Sequence, residues 1–194
     1  MLYIQGSSDL ANSYTNSQPS TYDYLKPNGF RFAIKDLPNV AYTCQEVTLP
    51  SVGVGFIQVG YPSIDLKVPD HKPEFGDFNL SFIVSENMQN YKELYNWIIG
   101  LSQYDDNVYD EFINKRLNRS PGATKYSKHA DSVKFSDASL FILNSSNLPK
   151  VEVKFQELFP ITLSPLSFDT TVDNIQYLVC GATFKYRSFE IQTL

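Results

Sequence analysis

Residues 74–100 read Glu74-Phe-Gly-Asp-Phe-Asn-Leu-Ser-Phe82-Ile-Val-Ser-Glu-Asn87-Met-Gln-Asn-Tyr91-Lys-Glu-Leu-Tyr-Asn-Trp97-Ile-Ile-Gly100, and two periodicities meet inside them. Phe78, Leu80, Phe82 and Val84 alternate with Asp77, Asn79 and Ser81, the period of a half-buried strand. From Asn87 the spacing lengthens: Tyr91, Leu94, Tyr95 and Ile98 recur as on one face of a helix, widened by Trp97 and Ile99. Asn87 is a natural N-cap, and Gly100 is placed to end the helix. An amphipathic strand feeding an amphipathic helix predicts a helix lying against a sheet face.

Outward from this stretch, strand-like alternation dominates. Phe30, Phe32 and Ile34 oppose Arg31, Ala33 and Lys35, and after the turn-like Leu37-Pro38-Asn39 the series Val40, Tyr42, Cys44 predicts a second strand. Past Leu49-Pro50-Ser51, two short strands are expected around Val54–Val59 and Ile64–Val68, separated by Tyr61-Pro62-Ser63. Further on, Leu140 and Ile142 mark one strand, and Val151, Val153 and Phe155 face inward in the next. Phe159-Pro160-Ile161 reads as a corner leading to a short strand near Thr162–Ser167. A last long strand carries Leu178, Cys180, Ala182, Phe184 and Tyr186 on one face. Its phase slips to Phe189 and Ile191, so a bulge or bend is expected near Arg187-Ser188. The fold class is mainly β (α+β): two packed antiparallel sheets, or an open barrel, with one flanking helix.

With 194 residues, the chain is long enough for a single well-cored domain. Its share of hydrophobic residues, 42%, argues against a mostly disordered chain. Residues 1–28 are rich in Ser, Asn, Thr and Tyr without an aliphatic pattern and predict an arm, flexible when free, ahead of one domain over 29–194. Residues 102–135 form a long polar insertion, with a short helix over Asp110–Leu117. A stretch of that length with little core content is a candidate contact element, carried by Tyr104, Asp105, Asp106, Tyr109, Arg116, Arg119 and Lys125. No apolar run is long enough to span a bilayer, and the opening MLYIQGSSDL lacks the basic flank of a secretion signal, so a soluble product with no membrane insertion is expected. A net charge of −5 disfavours the basic footprint of a phosphate-backbone binder.

Signals for chemistry are sparse. His71 and His129 have no zinc-like spacing, and Cys44 and Cys180 fall in apolar strand series, where cysteine acts as a small hydrophobe. Gly53-Val-Gly55 lacks the Gly-Lys-Ser/Thr of a phosphate loop. Asp105, Asp106, Asp110 and Glu111 lack the central Gly and closing Glu of an EF-hand. Three Asn-X-Ser triplets, at Asn79, Asn118 and Asn144, mean nothing without a secretion signal. No catalytic residue, cofactor or metal is expected. Aromatic richness keeps a glycan-binding β-sandwich open as an alternative.

The order of elements resembles the tail tube proteins of contractile-tailed bacteriophages, which are related to the tubes of type VI secretion systems. The likeness rests on the Cys44 strand, Leu49-Pro50, the two-stranded excursion, Glu74-Phe-Gly-Asp-Phe-Asn-Leu-Ser-Phe82, the Asn87-led helix with Tyr95-Asn-Trp97, the Lys150–Phe159 strand with its Pro corner, and Phe189-Glu-Ile191. It covers Phe30–Leu101 and Ser136–Ile191. The resemblance implies a structural subunit that forms six-membered rings stacked into a hollow tube, through which DNA passes unbound. Its partners would be itself, the tail sheath and the baseplate. Its location would be the virion, after assembly in the host cytoplasm. Tube initiators, terminators and baseplate-junction proteins of the same machine share the fold and stand as the close alternative. For a tube subunit, the polar positions Asp65, Lys67, Asp77, Asn79 and Ser81 are candidates for a lumen or ring-facing surface. The 102–135 insertion is a candidate inter-ring contact.

Overall fold

A computed structural model describes residues 24–60, 64–102, 134–171 and 176–194. Among the described residues nine strands and two helices follow in the order β1 (Phe30–Ile34), α1 (Pro38–Thr43), β2 (Cys44–Thr48), β3 (Val52–Gly60), β4 (Asp65–Phe75), β5 (Phe78–Ile83), α2 (Gln89–Ser102), β6 (Ser136–Leu143), β7 (Pro149–Leu163), β8 (Val179–Lys185) and β9 (Ser188–Thr193). Every strand pairing is antiparallel. Sheet I holds β1, β6, β7 and β9, and sheet II holds β2, β5, β8 and the C-terminal part of β7. The mainly β reading with packed antiparallel sheets holds, and the sheets do not close into a barrel within the chain.

Period-two alternation builds the core. Phe32 and Ile34 of β1, Ala138 and Leu140 of β6, and Val153 and Phe155 of β7 point inward from sheet I. Phe78, Leu80, Phe82, Cys180, Ala182 and Phe184 meet them from sheet II. Phe78 is the centre of this contact, its ring 4.5 Å from Phe155 and 5.6 Å from Phe32 across the sandwich. α2 docks through Leu94 and Trp97, and the Trp97 indole N–H donates to the Lys134 carbonyl at 3.1 Å.

Four expectations need correction. Val40 and Tyr42 lie in a helix, not a strand: Pro38 at its first position pre-sets φ, Val40 is buried and Tyr42 points to solvent. α2 runs through Gly100 to Ser102, and its buried stripe is centred on Leu94 and Trp97, leaving Tyr95 half exposed. The cap position is Met88, whose carbonyl accepts from the Lys92 amide at 2.9 Å, so Asn87 lies one residue ahead of it, where its Oδ1 still accepts from the Gln89 amide at 3.1 Å. Phe159-Pro160-Ile161 does not end a strand. β7 continues to Leu163 and changes sheets, pairing with β9 up to Gln156 and with β8 from Phe159. Glu157, at φ 55°, supplies the local kink. The last strand is two strands, because the chain bends at Tyr186-Arg187, opposite Glu157; Arg187 pairs with the Glu157 carboxylate at 2.9 Å. The bend expected near Arg187-Ser188 is therefore present.

Candidate functional site: an open four-stranded sheet and its hairpin

The strand order of sheet II is β2-β5-β8-β7, so β2 is one edge and residues 159–163 of β7 are the other. Pairing of β7 with β6 stops at Leu158, and among the described residues neither edge has a further strand beside it. An unpaired edge presents a row of free amides and carbonyls, a template for another chain.

The outward faces of the two sheets differ in chemistry. Sheet I presents long charged side chains, among them Arg31, Lys150, Glu152, Lys154 and Glu190, with Lys154 hydrogen bonded to Gln192 at 3.0 Å. Sheet II presents small uncharged ones: Thr48 beside Asn79, Asn79 beside Thr183, and Ser81 beside Gly181 in the strand register. Thr183 Oγ1 donates to Asn79 Oδ1 at 2.8 Å, and the Gly181 amide donates to Ser164 Oγ at 2.7 Å. Charge enters this face only toward its margins, where Glu46 lies beside Ser81 and Asp77 forms an ion pair with Lys185.

Of the polar positions expected to share a surface, the fold brings together Asp77, Asn79 and Ser81, along one side of the strand from Asp77 through β5. Asp65 and Lys67 stand apart on the β3–β4 hairpin. There Asp65 Oδ2 accepts from Gln58 Nε2 at 2.7 Å, and the Lys67 ammonium lies 5.2 Å from the Phe56 ring centre. Tyr104, Asp105, Asp106, Tyr109, Arg116, Arg119 and Lys125 lie outside the described residues.

Sequence reasoning missed the reach of the hairpin and the contribution of β8. The alternation predicts two short strands, yet β3 and β4 extend over nine and eleven residues. Its far half is amphipathic: Ile57 opposite Val68 and Val59 opposite Leu66 form one bare face, while Gln58, Lys67 and Asp65 occupy the other. The signal was present in the alternation Ile57, Val59 and Leu66, Val68. The pairing of Asn79 with Thr183, 104 residues away, had no local signal.

Groups for chemistry are scattered. His71 lies on exposed β4, its amide donating to Asp70 Oδ1 at 2.7 Å. A cleft of about 640 Å³ between β1, α1 and β2 is lined by Phe30, Ala33, Pro38, Ala41 and Tyr42, with Arg31 its charged member. Among the described residues no three His, Cys, Asp or Glu side chains cluster as a metal site, and no helix is long and apolar enough to cross a membrane.

The model of the phage tail tube protein family matches residues 11–192. The chain belongs to the phage tail tube protein family. Among solved structures, one similar chain comes from the PVC sheath-tube complex of an extracellular contractile injection system in its extended state. It has 15% identity, covers 97% of this chain and 99% of that one, and gives a TM-score of 0.57. The sheath/tube terminator of the PVC system matches at 16% identity over 89% and 99% of the two chains, with a TM-score of 0.56. The tube terminating cap of the anti-feeding prophage matches at 15% identity over 93% and 98%, also with a TM-score of 0.56. At these identities the likeness establishes a shared fold. A search of curated proteins finds no match to the sequence.

Proposed function

We propose that this tail tube family member is a self-assembling subunit whose copies join edge to edge through sheet II into rings, stacked into a tube that conducts DNA. The observation that carries the proposal is the pair of free edges on sheet II, β2 at one side and residues 159–163 of β7 at the other. Four strands alternate in direction across the sheet. A neighbour rotated about an axis along the strands therefore sets its β2 antiparallel to the β7 segment, and the alternation continues without a break. Such head-to-tail contacts close into a ring when the rotation allows, and closure removes both edges. Pro160, lacking an amide proton, subtracts one donor from this junction, and proline is tolerated in strands at such edge positions.

The proposal extends to the faces. Sheet II turns its outward side toward the bore, so Asn79, Ser81, Thr183, Gly181 and Thr48 line it, with Asp77 neutralised by Lys185. A hydroxyl and amide wall without a row of cations gives DNA phosphates nothing to release counterions against, so the genome slides rather than binds. Sheet I then carries its charged face outward, toward a sheath. Six subunits per ring, DNA passage, sheath and baseplate contacts, and residence in a phage virion or related injection particle belong to the same proposal, which membership of the tail tube family supports. A terminator role in the same machine is the second reading, because tube and terminator chains match with nearly equal TM-scores, 0.57 and 0.56.

Cysteine cross-linking tests the junction. In a Cys44→Ala, Cys180→Ala background, one cysteine is placed within residues 44–48 and one within 159–163, and pairs are scanned through the register. Oxidation is expected to give a ladder of linked chains ending at a fixed rung, the ring number, while either single cysteine gives no ladder. Absence of a ladder across all pairs, with assemblies present, overturns the edge-to-edge assignment.

A further inference from the structure

Sheet I has edges of its own, β1 and β9, and the β1 edge opens into the cleft beside α1. The ladder fixes which backbone groups of β1 reach β6. The Leu143 amide donates to the Gly29 carbonyl at 2.8 Å, and the Lys35 amide donates to the Asp137 carbonyl at 3.2 Å. Residues 29, 31, 33 and 35 are therefore the bonded positions, and the amides and carbonyls of Phe30, Phe32 and Ile34 point away from β6. Among the described residues these groups have no partner. Phe32 and Ile34 are only 4% and 5% exposed, so they are nearly shut off from water as well. Orphaned buried amides are rare, because each costs about as much as a lost hydrogen bond. All five residues of β1 line the cleft of about 640 Å³, with Pro38, Ala41, Tyr42 and Cys44 on its other wall. An unpaired strand edge facing a cleft of its own length is a seat for one more strand.

The chain carries an occupant on the near side of that seat. The described backbone begins at Tyr24, and the Gly29 amide donates to the Lys26 carbonyl at 3.3 Å, closing a turn immediately before β1. Residues 1–23 are thus attached at the mouth of the cleft. Within them Met1-Leu-Tyr-Ile4 is the longest apolar run. Leu2-Tyr3-Ile4-Gln5 sets Leu and Ile on one side and Tyr and Gln on the other, with no charged side chain and no proline. The linking residues 6–23 span up to roughly 60 Å when extended, against roughly 17 Å for the length of β1. Leu2–Gln5 lies ahead of residues 11–192, so the matched family pattern does not account for it.

We infer that Leu2–Gln5 adds to the free edge of β1 in its own chain, as a fifth strand of sheet I. Its backbone pairs with that of Phe30, Phe32 and Ile34. Leu2 and Ile4 turn to the inner side beside Phe32, and Tyr3 and Gln5 turn to the outer side beside Arg31 and Ala33. The added strand has a use in assembly. β1, β6, β7 and β9 alternate in direction, so a bare β1 would let sheet I pair with a neighbour's β9 in competition with sheet II. Covering β1 closes that route. The inference goes beyond the ring reading and stands apart from it, since a single chain either holds the strand or lacks it.

Hydrogen exchange, read amide by amide on the full-length chain kept dilute enough to stay single, tests the pairing. Phe32 and Ile34 are expected to exchange within about tenfold of Arg31 and Ala33, whose amides bond to β6. In Leu2→Asp/Ile4→Asp they are expected to exchange at least ~100-fold faster, while Arg31 and Ala33 keep their rates. Fast exchange of Phe32 and Ile34 in wild type overturns the inference, as does slow exchange that the variant leaves unchanged. The wild-type comparison decides by itself if the variant unfolds. Disulfides then identify the donor. Toward the added strand Arg31 and Ala33 are non-hydrogen-bonded positions, where Cα atoms approach to about 4.5 Å. In the Cys44→Ala, Cys180→Ala background, Tyr3→Cys with Arg31→Cys or with Ala33→Cys is expected to oxidise within one chain. Links between chains overturn the same-chain assignment, and no link from either pair overturns the strand. Rings enter neither readout, so failure here leaves the ring reading standing.

Discussion

Asn90 is fully buried and ties three elements together. Its Oδ1 accepts from the Ser85 amide at 3.2 Å, the Ser85 hydroxyl at 3.0 Å and the Tyr91 amide at 2.9 Å. Its Nδ2 donates to the Ile83 carbonyl at 2.8 Å and to Thr43 Oγ1 at 3.0 Å, joining the end of β5 and the end of α1 to the start of α2. Asn90→Leu keeps the volume but leaves these buried groups unpaired. A loss of about 2–3 kcal/mol is expected, read as a lower urea midpoint at unchanged slope. The cysteines make a second residue-scale prediction. Burial disfavours the thiolate and outweighs the Glu46 backbone hydrogen bond, so the Cys44 thiol is pushed up to about 11. Burial raises Cys180 as well. Raised thiol values mean protonated, unreactive sulfur at neutral pH, with reactivity returning only as pH rises toward the shifted value. At pH 8 labelling of the native protein is expected to be at least ~10-fold slower than in urea. Equal rates would contradict the burial. Cys44 and Cys180 both flank Phe82 in the register, two strand spacings apart, roughly 10 Å and beyond the reach of a disulfide.

At the scale of elements, the hairpin is mounted rather than hinged. The Gly76 amide donates to the Ser51 carbonyl at 2.9 Å, and the Tyr186 hydroxyl donates to the Gly76 carbonyl at 3.0 Å. Phe75 packs its ring 5.6 Å from Phe189 and 6.1 Å from Tyr186. A Cβ on Gly76 would lie 2.5 Å from Ser51 Oγ and 3.2 Å from the Ser51 nitrogen. Gly76→Ala is expected to cost about 1–3 kcal/mol in thermal unfolding, as overpacking does, with Ser51→Ala restoring part of the loss in the double variant. Additive losses would show that Ser51 is not the obstacle. The clear strand Phe78–Ile83 was legible because one face is wet and the other dry, and Asp77, Asn79 and Ser81 followed from that alternation. α1 was not, because Val40 and Cys44 mimic strand spacing over a helix of only six residues. The sheet change in β7 was hidden too: nothing local in Gln156-Glu157-Leu158 signals a positive φ, which depends on the bend of β8–β9 opposite and on Arg187. Pro69 and Pro73 concealed the length of β4, although proline is compatible with an edge ribbon.

For the whole molecule, the sandwich is complete in its core and incomplete at its margins. Phe78 and its neighbours close the interior, while sheet II keeps two edges open among the described residues. In the proposed assembly that asymmetry has a use, since one free edge of sheet II is matched by the other on the same chain and closure of a ring covers both. The most direct test is negative-stain electron microscopy of the concentrated wild-type protein. Rings with a central bore, stacked into hollow tubes, are the result expected; single chains at every concentration would contradict the account.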